Sequence, residues 1–96
     1  INQTSLTGIS TNKLEKSIRI YPNPAISKLY IKFDGITFRD MTIAIYDILG
    51  KQLYHKDYGK MTLKTIELNL YKFRKGVYYI HFKTDKGALT KQFIVQ

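Results

Sequence analysis

Residues 76–95 read GVYYIHFKTDKGALTKQFIV, and the spacing within them decides the fold class. Tyr78, Ile80 and Phe82 recur at every second position, the period that places side chains on one face of a β-strand. Asp85-Lys86-Gly87 supplies hairpin-turn chemistry, and Leu89, Lys91, Phe93 and Val95 resume the alternation in a closing strand. The same period runs upstream. Ile18, Ile20 and Pro22 mark a first strand; Leu29, Ile31 and Phe33 mark a second, which Asp34-Gly35 ends. Met41, Ile43 and Ile45 alternate with Thr42, Ala44 and Tyr46 in a third. Asp47-Ile48-Leu49-Gly50 is a four-residue turn with glycine where a positive φ is tolerated. Gln52–Tyr58 reads as a fourth strand and Thr62–Asn69 as a fifth, in which Thr65 breaks the alternation. The pattern predicts an all-β fold, an immunoglobulin-like antiparallel β-sandwich of about seven strands. Only LYKFRK, residues 70–75, invites a helix, and so short a run predicts an irregular turn instead.

Ninety-six residues make one domain. A chain of this length buries roughly 60–65% of its unfolded surface, enough for one modest core and no large internal pocket. Residues 1–15, INQTSLTGISTNKLE, are polar and without period, and read as a linker from an upstream protein; the folded domain is expected over residues 16–96. The first residue is Ile, so the chain reads as a piece of something longer. Sixteen Lys and Arg against seven acids give a formal charge of +9. The basic residues are scattered from Lys13 to Lys91, and Lys72, Arg74 and Lys75 form the densest group. Without a charge block this argues for a solvated basic surface, against a nucleic-acid interface.

The residues that carry catalysis are not arranged for it. Cysteine is absent, which removes disulfides and thiolate metal sites. His55 and His81 lie on separate predicted strands, facing outward, with no metal-ligand spacing around them. Asp34, Asp47 and Asp85 sit just before glycines, where Asp holds a turn by bonding the local backbone. No enzymatic activity, cofactor or metal is expected. One binding reading remains open: Tyr30, Tyr46, Tyr54, Tyr58, Tyr71 and Tyr79, with nearby lysines, could form a stacking face in a carbohydrate- or cell-surface-binding module.

Four motifs in order carry the argument further: YPNPAISKLYIKF, IAIYDILGKQLY, IELNLYKFRKGVYYIHF and GALTKQFIVQ. Together, over residues 17–96, they resemble the C-terminal sorting domain of the type IX (Por) secretion system of Bacteroidota. On that resemblance, Tyr21-Pro22-Asn23-Pro24 is the family's opening motif, and Ile45, Tyr46, Asp47, Gly50 and Lys51 form its central hairpin. Leu70 precedes the second turn, Gly76, Val77, Tyr78 and Tyr79 match its G-V-Y strand, and Lys91, Phe93 and Val95 match its basic–apolar end. Tyr71 and Phe73 depart from the small or polar residues common there. The resemblance implies a non-catalytic signal that directs an attached cargo across the outer membrane. Its partners would be the type IX translocon and a sortase that removes it, and the cargo would pass through the periplasm to the cell surface or medium.

Two expectations follow for the signal itself. Pro22 and Pro24 each fix φ and lack an N–H, and they press Tyr21 and Asn23 into extended conformations, so Tyr21–Pro24 should be stiff and should end the first strand. The last strand, Leu89–Gln96, could offer its backbone edge and apolar face to the translocon by strand addition, and open edge strands could support weak self-association.

Overall fold

Period-two alternation is realised almost wherever the sequence carries it. The computed structural model describes residues 11–96. A short helix, α1 (Thr11–Ser17), leads into seven strands: β1 (Ile18–Tyr21), β2 (Lys28–Phe33), β3 (Phe38–Asp47), β4 (Gln52–Met61), β5 (Thr65–Asn69), β6 (Gly76–Thr84) and β7 (Gly87–Val95). They form two sheets, ordered β1-β2-β5 and β4-β3-β6-β7, with antiparallel pairing between all neighbouring strands. In β2, Leu29, Ile31 and Phe33 point inward while Lys28 and Lys32 point to solvent. In β6, Tyr78, Ile80 and Phe82 do the same. The facing rows meet in one core, whose largest fully buried side chains are Phe38, Phe82 and Phe93. Burying each such ring stabilises the fold by roughly 1.5–3 kcal/mol before entropy is counted.

Several boundaries differ from the sequence reading, each for a packing reason. The stretch expected as linker, residues 1–15, overlaps α1: Leu14 is buried against Gly87, so the folded unit begins by residue 11, and residues 1–10 lie outside the described residues. Ser17 Oγ donates to the Lys13 carbonyl at 2.9 Å, four residues back along that helix. The fifth strand starts at Thr65 and leaves Leu63 exposed, because inward positions begin at Ile66 and Leu68. β4 runs on to Met61, which pairs with Phe38 and buries with it. The β3–β4 register shifts near Met41, where Gly59 takes a φ of 61° and the Asp57 carboxylate accepts its N–H at 3.0 Å. Such a bulge twists a strand whose other edge has no neighbour among the described strands, and Lys56 and Lys60 further discourage pairing there. The 70–75 segment is an irregular turn, as its length predicts.

Candidate functional site

Strand register gathers the four motifs at one end of the sandwich. Tyr21 pairs with Tyr30, Lys28 with Asn69, Asp47 with Tyr78 and Gly76 with Val95. The turns at 22–27, 48–51 and 70–75 and the close of β7 therefore share that end. Leu70 N–H donates to the Ser27 carbonyl at 2.9 Å, extending the β2–β5 ladder by one pair and tying two of these turns together.

The opening motif does more than end β1 at Tyr21. It crosses to the other sheet and lies along the outer edge of β7. The Asn23 side chain donates from Nδ2 to the Gln92 carbonyl at 3.1 Å, and its Oδ1 accepts the Ile94 N–H at 3.0 Å. Ala25 N–H donates to the Ile94 carbonyl at 2.7 Å, and the Ala25 carbonyl accepts the Gln96 N–H at 2.8 Å. Ala25 itself is buried, bridging Val95 in a parallel sense. Both X–Pro bonds, Tyr21–Pro22 and Asn23–Pro24, are cis. Neither proline can donate a hydrogen bond, so a primary amide side chain does what backbone would otherwise do: one acceptor and one donor at the spacing of a strand neighbour. The same residues of β7 send Phe93 and Val95 into the core on the inner side. The expected open edge at the end of β7 is thus occupied from Gln92 to Gln96, so strand addition there would have to displace Asn23 and Ala25, while the outer edges of β1 and β4 have no neighbour among the described strands. The sequence marks Asn23 as conspicuous, but its partners lie about seventy residues away in sequence, at Gln92 and Ile94, and no local pattern announces them.

The central hairpin is held by one carboxylate. Asp47 Oδ1 accepts the N–H groups of Leu49 and Lys51, each at 2.9 Å, and Gly50 takes a φ of 87°. The Asp47 carbonyl accepts the Gly50 N–H at 3.0 Å, and Tyr46 Oη donates to Gln52 Oε1 at 3.3 Å. This accounts for Asp47 and Gly50 as turn builders and leaves Lys51 exposed. In the second turn, Asn69 Oδ1 accepts the Tyr71 N–H and Tyr78 Oη donates to the Arg74 carbonyl at 2.6 Å. Phe73, a departure from the family pattern, packs edge-on to Tyr78, which stacks on Phe93. The ring therefore extends the core beneath the turn. Lys91 is half-buried, in register with Ile80.

The remaining candidates are not brought together. Tyr30 stacks on Tyr21 outside the three-stranded sheet, and Tyr46 and Tyr79 are cross-strand neighbours outside the four-stranded one. Tyr54 and Tyr58 pack against the core and bond each other at 2.9 Å, while Tyr71 stands on the 70–75 turn. A single stacking face of all six tyrosines does not form. Burial, and then the bond to Tyr54, push the Tyr58 hydroxyl to titrate well above the usual tyrosine range. His55 and His81 flank Ala44 in one row, two strand spacings or roughly 10 Å apart. His81 Nδ1 lies 2.7 Å from Thr90 Oγ1. Lys28 pairs with Glu67 at 3.0 Å, and that partner raises its titration.

Comparison with known proteins agrees with this arrangement. An immunoglobulin-like β-sandwich protein of the DUF3244 family from Bacteroides vulgatus superposes with a TM-score of 0.70 at 24% identity, covering 83% of this chain and 85% of that one. An endo-acting ulvan lyase from Formosa agariphila is 33% identical over 74 residues, which is 77% of this chain and 13% of the lyase. The chain thus spans a small part of that relative's length. Residues 19–96 match the family described as the secretion system C-terminal sorting domain, and the chain belongs to that family.

Proposed function

We propose that this domain is the address label of a larger exported protein, handed as a folded unit to the type IX translocon and afterwards cut off by a sortase, catalysing nothing itself. The observation that carries the reading is the family match over residues 19–96, which takes in all four motifs. The motif residues that would present the signal are Tyr21, Pro22, Asn23, Pro24, Tyr46, Asp47, Gly50, Lys51, Gly76, Tyr78, Lys91, Phe93 and Val95. Most of them shape one end of the sandwich, whereas Phe93 and Val95 hold it from below. A rigid signal suits a receptor that must read many unrelated cargoes, since little ordering entropy is lost on binding. The sortase would act ahead of the folded domain, on the side of the attached cargo. The cargo would cross the periplasm and finish on the cell surface or outside the cell; the ulvan lyase relative makes a polysaccharide-degrading enzyme one candidate cargo.

The test is a reporter fused ahead of residues 1–96 in a host with the type IX system. Export of the fusion, loss of export in a translocon-deficient strain, and a shortened reporter outside the cell by mass spectrometry support the proposal. Retention of the intact fusion in the periplasm contradicts it. The alternative carbohydrate-binding role predicts micromolar binding on a glycan array, and the dispersal of the tyrosines over different faces speaks against it.

A further inference from the structure

We propose that the motif end of the sandwich is also a docking face for an anionic lipid bilayer, with its turn tips entering the headgroup region. Among the described residues the four most exposed large hydrophobics are Leu49 at 90%, Tyr71 at 74%, Ile26 at 72% and Ile48 at 69%. All four stand on the three turns that share this end. The Asp47 bonds that build the hairpin go to backbone N–H groups, so the fold does not require Ile or Leu at its tip. A turn shaped only by water would carry polar residues there.

The charges fit a lipid surface. Lys51, Lys72, Arg74 and Lys75 are exposed on two of the same turns and take part in none of the ion pairs among the described residues. The acid on those turns, Asp47, faces inward to Leu49 and Lys51 N–H. Apolar and basic residues interleave within these two turns, as in Leu49-Gly50-Lys51 and Tyr71-Lys72-Phe73-Arg74-Lys75, while the 22–27 turn adds Ile26 without a cation. Apolar tips ringed by cations suit the acyl boundary below a layer of anionic headgroups. A protein partner would need an apolar contact for each of the three turns and acids beside two of them; a bilayer receives all three at once. The net charge of +9 draws the whole chain toward the same surface.

The experiment is co-sedimentation of the 96-residue chain with phosphatidylglycerol–phosphatidylcholine vesicles and with phosphatidylcholine vesicles alone. The chain is expected to bind the first and barely bind the second. Ile48→Ser with Leu49→Ser should lower binding at least tenfold, on the order expected for withdrawing two aliphatic side chains from the acyl boundary. Lys72→Gln with Lys75→Gln should lower it roughly fivefold per lysine. Leu63→Ser, at the opposite end, should bind as the parent does. Should the first variant melt early, Ile26→Ser with Tyr71→Ser reads the same face on other turns. Equal binding by the serine variants would reduce the effect to diffuse charge and overturn the proposal, as would failure to bind anionic vesicles. Loss of export in the serine variants without any vesicle binding by the parent would assign the face to a protein and overturn it too. Vesicle binding needs no translocon, so this proposal and the export reading can fail separately.

Discussion

At the end of the sandwich away from the motifs, polar side chains seal the turns. The Asp85 carboxylate accepts the N–H groups of Arg39 and Asp40, at 3.0 and 3.3 Å, Asp34 pairs with Arg19 at 2.7 Å and Lys32 at 3.8 Å, and Lys86 Nζ reaches the Thr37 carbonyl. At the motif end, the polar side chains Asn23, Asp47 and Asn69 are turned back onto the chain, and large apolar side chains are left in water. Both ends satisfy their backbone. Among the described large hydrophobics the far end leaves Leu63 in water, whereas the motif end leaves Ile26, Ile48, Leu49 and Tyr71, and a cluster of that size is what a recognition face looks like.

The contrast can be broken from beneath, or sharpened from either end. Phe93→Ala removes the ring that joins the last strand to Tyr78 and should cost about 3–5 kcal/mol, much of a small domain's stability; urea unfolding would measure it. Asn23→Ala and Asp85→Ala each delete two hydrogen bonds to backbone, one pair at each end. At roughly 0.5–1.5 kcal/mol per bond, both should lose about 1–3 kcal/mol and melt several degrees earlier by calorimetry. Alkali should act through Tyr58: its folded titration is raised, so stability holds below the usual tyrosine value near 10 and falls as pH climbs above it. Tyr58→Phe should flatten that part of the pH–stability profile relative to the parent. Leu49→Ser should move the melting temperature least, with a change within about 0.5 kcal/mol, because nothing in the fold leans on that side chain.

The sandwich was legible because β2, β6 and β7 alternate cleanly and the Asp–Gly and Asp-Lys-Gly turns mark where they stop. The helix over Thr11–Ser17 was not legible: with Leu14 as its core anchor and seven residues in all, it has no helical period to read and is held by tertiary contact. The motif residues were visible as a set, but their roles were not. The two prolines predict stiffness at Tyr21–Pro24, whereas the amide of Asn23 standing in for a strand depends on β7 arriving beside it from the far end of the chain. Phe73 and Tyr71 looked alike as departures; the first proves to be core, and the second is exposed.

The most direct test exports a reporter carrying either Asn23→Ala or Asp85→Ala, after melting curves have shown that both are folded and similarly weakened. Recognition through the motif end predicts that the Asp85 variant still leaves the cell while the Asn23 variant is retained. Equal export of the two, or retention of both, would contradict it.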